Sequence, residues 1–310
     1  MTMNKLMHDT MHPAEETFNK VVLFINWHYF QFQTLPPWLQ DNDYIWDGYR
    51  PLLPSWRDCF KSIFSIHTET GNVWTHMLAC IFFVALSINF LSSSSAEISV
   101  EDKLVLSTLF VGTITCMGLS AFFHAVICHS EWAFETFSKM DYVGISVMII
   151  GSGLPLIYYS FYCDTTAQIA YTVVIIVFGS VSIFVSTFPQ FGTTEYRPIR
   201  TAIFTTFAIS GVLPTVHFLI SAGWSVAFKQ ASLGWLMLTA ALNGTGSLLY
   251  TCRIPERFAP GMFDLFFHSH QVFHTLVVCG AVTWYWGVSE MAVYRLTVGQ
   301  CPVAFPETVQ

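Results

Sequence analysis

The chain has 310 residues, 53% of them hydrophobic and only 11% charged, with a mean hydropathy of +0.52. A charged fraction less than half of the roughly 25% usual in soluble domains excludes a water-soluble globule and a disordered chain. The formal net charge of -7 and pI near 5.8 give no basic field for phosphates and exclude nucleic acid as a partner.

In chain order, residues 1–54 set Lys5 against Asp9, Glu15 and Glu16 and carry no long apolar core. The apolar run Val21 to Ile25 is shorter than the about 7 to 15 residues of a signal-peptide core, so insertion is expected to start from a retained span. The stretch around Asp41, Asp43, Tyr44 and Trp46 is polar and aromatic and points to no chemistry. Ser55-Trp-Arg-Asp58 then offers an N-cap followed three positions later by an acid, and Trp56, Cys59, Phe60, Ile63 and Phe64 recur at helical spacing. This predicts a short amphipathic helix over 55–66 lying in the membrane interface, with Arg57, Asp58, Lys61 and Ser62 on its polar face.

Seven long stretches lack Asp, Glu, Lys and Arg: Gly71 to Ala96, Leu104 to Ser130, Tyr142 to Cys163, Thr165 to Thr194, Thr201 to Phe228, Gln230 to Cys252 and Leu265 to Ser289. Each is long enough to cross about 30 Å of hydrocarbon as a helix. The expected fold is an all-α membrane protein, a seven-transmembrane helix bundle over 71–290 followed by a tail at 291–310. Pro155 and Pro214 fall inside the third and fifth stretches and predict kinks that neighbouring helices must accommodate. Ser92 to Ser95 reads as a loop. The one glycosylation sequon, Asn243-Gly-Thr245, lies inside an apolar stretch out of reach of modification. Eight cysteines without close pairing or metal-type spacing argue against a disulfide framework.

Lys and Arg set the direction. On the seven-span reading, 10 of the 13 fall on the N-terminal side and 3 on the other, which predicts a cytosolic N-terminus and an external C-terminal tail. The cytosolic ends of the spans then hold His124 near the exit of the second, Asp141 at the start of the third, and His270 and His274 in the first turns of the seventh. Polar groups at membrane depth are costly unless paired. His270 and His274 lie four apart and share a helix face, as two imidazoles binding one ion must. His124 would complete a three-histidine set with one tetrahedral position left for water, and Ser120 lies one turn before it. Taken singly, a histidine near a helix end snorkels to the interface or bonds a backbone carbonyl. Phe122 and Phe123 would pack among lipid or neighbouring helices. His217, near the opposite end of the fifth span, and His76, near the start of the first, read as structural, and His67, His129 and His268 as solvated beside loops.

At these residues the sequence resembles the progestin and adipoQ receptor family, its adiponectin-receptor members above all. The matching stretches run from Leu35-Pro-Pro-Trp-Leu-Gln-Asp-Asn-Asp-Tyr44 and Ile66-His-Thr-Glu-Thr-Gly-Asn-Val-Trp-Thr-His76 through Cys128-His-Ser-Glu131 and Thr136-Phe-Ser-Lys-Met-Asp-Tyr142. They continue in Tyr158-Tyr-Ser-Phe-Tyr-Cys163, Arg253-Ile-Pro-Glu-Arg-Phe258, Pro260-Gly-Met-Phe-Asp264 and Ser269-His-Gln-Val-Phe-His274. The resemblance implies a seven-helix zinc protein with a cytosolic N-terminus, Zn2+ held by His124, His270 and His274, and Asp141 and Ser120 beside the metal. It implies an adiponectin-like extracellular ligand and hydrolysis of ceramide to a free fatty acid and a sphingoid base, in the plasma membrane. In such a reaction Asp141 would be the general acid/base and Ser120 would steady the oxyanion or the water. A cytosolic adaptor belongs to the same picture, though the short N-terminal tail departs from the family there. The other class to weigh is a receptor in which zinc is a structural clamp without turnover. A channel or transporter is disfavoured, because the few polar groups in the spans cluster at one end.

Overall fold

A computed structural model describes residues 30–92, 98–298 and 301. The readings made for residues 1–29, for Ser93 to Ser95 and for most of the C-terminal tail lie outside the described residues. The regular structure of the described residues is helical apart from one isolated bridge, Phe30 to Tyr49, with irregular segments over most of 40–55 and 253–268.

A seven-residue helix, α1 (Trp56–Ser62), lies ahead of the first long helix and is shorter than the 55–66 expected. Ser55 caps it through its backbone carbonyl, which accepts from the amides of Asp58 and Cys59, and not through its side chain. The apolar residues divide between two directions. Cys59 and Ile63 turn inward against Val73, Ala125, Val126 and Cys128, while Trp56, Phe60 and the following Phe64 stay exposed at the surface. Ser62, expected on the polar face, is buried, because its hydroxyl accepts from Arg50 and donates to the Cys59 carbonyl.

Three long helices follow: α2 (Thr70–Ser92), α3 (Val100–Val126) and α4 (Glu131–Ser160). Ser99 and Ser130 cap α3 and α4 by accepting from amides three residues on, each satisfying one of the free donors of a helix start. Pro155 does not break α4. Its missing amide frees the carbonyl of Gly151 four residues earlier, and that carbonyl accepts from the Thr108 hydroxyl of α3 at 3.1 Å. A Cβ added at Gly151 would stand 2.3 Å from the Thr108 carbonyl oxygen, so the close approach of α3 and α4 requires glycine there. Helix α5 (Thr165–Ser186), capped by Asp164, exposes Ile169, Val173, Val177, Val181 and Phe184 along one face. Such a continuous apolar stripe suits lipid.

The fifth apolar stretch is more broken than the single kinked span expected. It comprises α6 (Arg197–Ile209), α7 (Val212–Ala222) and α8 (Trp224–Gln230). The first break falls at Ser210 and Gly211, where the Pro214 ring excludes the carbonyl four residues before it. The second falls at Gly223, whose φ of +82° only glycine adopts without strain. Then come α9 (Leu233–Cys252) and α10 (Ser269–Val298), packed against each other. Among the described residues six helices, counting Thr194–Ala222 as one, are long and apolar enough to cross a membrane. Helix α9 has 20 residues and no charged side chain, with Asn243 and several Gly, Ser and Thr lowering its apolar character.

No disulfide framework is expected from the spacing, and a single pair of cysteines is joined. A disulfide links Cys163, just past α4, to Cys301, beyond α10. Their separation of 138 residues leaves no trace in local spacing. It lies at the end of α4 opposite the one that meets the last turns of α3.

Candidate metal centre

The last turns of α3 bring His124 to the first turns of α10, where His270 and His274 project four residues apart. The three ring centroids form a nearly regular triangle, 4.9 Å from His124 to His270 and 4.8 Å on the other two sides. One nitrogen from each ring lies within 4.8 Å of the others. Imidazole nitrogens around a tetrahedral zinc stand about 3.4 Å apart, so small rotations bring the set onto one ion.

The remote nitrogens are held. Glu69 Oε2 lies 2.6 Å from His124 Nδ1, and His274 Nδ1 donates to the Asn72 carbonyl at 3.3 Å. Such outer contacts fix the tautomer and leave the opposite nitrogen free to coordinate. His124, only 1% exposed, has its Nε2 buried without any partner. An unsatisfied buried nitrogen is costly unless a cation completes it, so the donor set fits a divalent metal. Burial opposes ionisation of Glu69, but the His124 and His270 rings and hydrogen bonds from His124 and Asn72 outweigh it and hold the carboxyl well below the usual range.

Asp141, on the third turn from the site end of α4, does not join the three histidines within that reach. Its carboxylate accepts from Ser120 across the α3–α4 contact, so the two other expected residues pair with each other beside the triangle. His76, read as structural, stands inside the site: it stacks on His274 with centroids 3.8 Å apart, and both its nitrogens are buried and unpartnered. His67 and His268 are not solvated. His67 Nε2 faces the Ser62 carbonyl and its Nδ1 accepts from the Glu69 amide, and burial pushes its pKa down to about 3. His268 Nε2 lies 3.0 Å from the Thr68 carbonyl, and burial likewise lowers it. His129 stacks on Trp56 and is half-buried, and His217 is exposed and bonds the Tyr171 hydroxyl, a structural role as expected.

Sequence reasoning passed over four residues that shape the site. Glu69 and Asn72 sit one turn apart at the start of α2, and a lone acid at the mouth of an apolar stretch was the signal available. Arg50 donates to the carbonyls of His124 and Ala125, tying the end of α3 to the N-terminal segment. Glu256 is fully buried and accepts from Asn42 and from both the amide and the hydroxyl of Ser269. A carboxylate at the start of α10 complements the helix dipole and fixes the turn that carries His270.

A cavity of about 100 Å3 opens beside the triangle, lined by Arg50, Glu69, His124, Tyr142, Arg200 and His270 among others. The segment from Leu35 to Asp47 covers it. Asp41 is ion-paired with Arg197 and its carbonyl accepts from Arg253 at 2.6 Å, and the Asp264 carboxylate receives the amides of Trp46 and Asp47. Burial works against the Asp41 charge, but Arg197 overrides it and keeps the carboxyl below its ordinary value.

The family described as Haemolysin-III related matches residues 64–285. The chain is 45% identical over 298 residues to "Adiponectin receptor protein" of Drosophila melanogaster, covering 96% of this chain and 67% of that protein. It is 47% identical over 277 residues to "Progestin and adipoQ receptor-like protein 1" of Caenorhabditis elegans, covering 89% of this chain and 64% of that protein. To "Progestin and adipoQ receptor family member 3" of Mus musculus it is 31% identical, with 86% of each chain covered. The chain thus spans about two thirds of the length of the fly and worm relatives.

Proposed function

Because the chain belongs to the Haemolysin-III related family, with adiponectin-receptor and progestin and adipoQ receptor-like proteins among its relatives, we propose that it is a receptor of that type whose core hydrolyses ceramide. On this reading seven spans cross the plasma membrane, α9 serving as the sixth, with the N-terminus cytosolic. The 10 to 3 distribution of Lys and Arg supports the direction. The disulfide Cys163–Cys301 lies at the opposite end from the histidines, while Cys59 and Cys128 are free thiols near them, as expected of an oxidising outside and an inside that returns disulfides to thiols. The external ligand is adiponectin-like, and a cytosolic adaptor would meet the N-terminal side.

The observation that carries the metal reading is the unpartnered Nε2 of His124 facing His270 and His274. His124, His270 and His274 would hold Zn2+, which when bound polarises an amide carbonyl and makes water acidic enough to ionise near neutrality. Glu69 keeps the His124 Nδ1 proton in place and so presents Nε2. Asp141 accepts a proton from the attacking water and delivers it to the departing amine. Ser120 orients the Asp141 carboxylate by its hydrogen bond. The apolar interior receives the acyl chain. The products are a fatty acid and a sphingoid base.

A second reading is favoured by one feature: His76 stacks on His274 and the triangle joins α3 to α10, as a structural clamp would. Purified protein in lipid, assayed for metal content and for fatty acid release from ceramide in the same preparation, separates the two. The enzyme reading expects both about one zinc per chain and release. The clamp expects zinc alone.

A further inference from the structure

Beside the Arg50 guanidinium, at the edge of the cavity that Arg50 and Cys128 both line, two free cysteines from different elements meet. Cys59 of α1 and Cys128, in the turn after α3, have sulfurs 4.0 Å apart and are 0% and 2% exposed. Their backbones are coupled as well. The Leu53 amide donates to the Cys128 carbonyl at 2.9 Å, and Cys59 Sγ faces the Leu53 carbonyl at 3.2 Å. Among the described residues no other two free thiols touch. The bland account is that two small apolar side chains fill the cluster with Val73, Ala125 and Val126. It accounts for the burial but not for two sulfurs facing each other beside a guanidinium.

We infer that Cys59 and Cys128 form a reversible dithiol–disulfide switch, oxidised by a small hydroperoxide that reaches Cys128 through the cavity it helps to line. Disulfide sulfurs lie about 2.05 Å apart, so the two side chains must close a gap of about 2 Å. The Cys128 sulfur is the attacking one. A hydrogen bond from Cys59 outweighs burial, and the Arg50 charge adds to it, holding the Cys128 thiol down to about 7, while the same pairing pushes Cys59 up. The Cys128 thiolate attacks one peroxide oxygen, the O–O bond breaks, and hydroxide leaves, giving a sulfenic acid. The Cys59 sulfur then attacks the Cys128 sulfur. The S–S bond forms, the S–O bond breaks, and water departs with the Cys59 proton. Two thiols have lost two electrons to the peroxide, and a glutathione-class thiol returns them by exchange. The oxidised form fastens α1 to the chain four residues beyond His124, where Arg50 already holds the carbonyls of His124 and Ala125.

The test uses the full-length protein in lipid, treated with hydrogen peroxide, alkylated and digested for mass spectrometry. The switch predicts a linked peptide pair containing Cys59 and Cys128, formed before any loss of the exposed Cys279 thiol and reversed by glutathione. In Cys59→Ser, the Cys128 sulfenic acid persists and is trapped by dimedone, whereas the parent gives little adduct. If the parent keeps both thiols while Cys279 oxidises, or if Cys128 gives equal adduct with and without Cys59, the switch is overturned. Should Cys59→Ser not fold, the linked pair in the parent decides alone.

Discussion

Glu69 Oε2 lies 2.6 Å from His124 Nδ1, across the mouths of α2 and α3. This contact places the carboxylate behind the imidazole, opposite the nitrogen that faces His270 and His274. Glu69 is itself held, by Asn72 Nδ2 at 2.7 Å and through its amide by His67. Carboxylates in this position orient a ligating histidine and raise its basicity. Glu69→Gln should therefore weaken metal binding by about 10- to 100-fold with the fold retained, measured by competition against a graded series of chelators. Unchanged affinity would show that His124 is oriented by packing alone.

His270→Ala and His274→Ala should each lose most of the metal that the proposed site would bind and lower thermal stability, because an ion held there would tie α3 to α10. His217→Ala, far from the triangle and exposed, should keep a full complement. Metal analysis of the purified variants checks this, and full metal in all of them would return the histidines to a purely structural role.

The α3–α4 approach predicts a contrast between two glycines. Gly151→Ala forces a methyl to 2.3 Å from a backbone oxygen and should destabilise the bundle by about 1 to 3 kcal/mol. At Gly244, inside α9, an added Cβ meets nothing within 4 Å, so Gly244→Ala should be neutral or stabilising by about 0.5 to 1 kcal/mol. Thermal denaturation in detergent reads both, and equal effects would refute the packing account.

The direction of insertion is checked at the disulfide. In intact cells an impermeant thiol reagent should leave Cys163 and Cys301 unlabelled until an impermeant reductant opens the bond, after which Cys301 is modified. Labelling only after permeabilisation would reverse the topology and place the histidines on the external side.

What the sequence disclosed follows from where the information lies. His270 and His274 were legible because helical spacing alone puts them on one face, and His124 because an imidazole near the end of an apolar stretch stands out. The capping of α3 and α4 and the long apolar helices likewise follow from local pattern. Glu69 and His76 were harder: both belong to the start of α2, and their roles arise only when α2 packs against α3 and α10. Two of the three histidines expected in solvent, His67 and His268, are buried because backbone carbonyls satisfy them, which no spacing rule reveals. Pro155 and Pro214 looked alike in the sequence, yet one is absorbed by the Thr108 hydroxyl and the other splits its helix, since the outcome depends on what the neighbouring helix offers.

On the proposed reading, the Asp141 carboxylate beside the histidine triangle moves a proton during amide hydrolysis. Asp141→Asn keeps the shape and a hydrogen-bonding partner for Ser120 but cannot accept a proton at neutral pH. Fatty acid release from ceramide is measured side by side for the parent and Asp141→Asn, both with metal content verified. The account predicts release by the parent and a loss of about 10²- to 10⁴-fold in the variant at equal metal and equal stability. Equal release by the two would contradict the role of Asp141, and no release by the parent would leave the clamp as the function of the site.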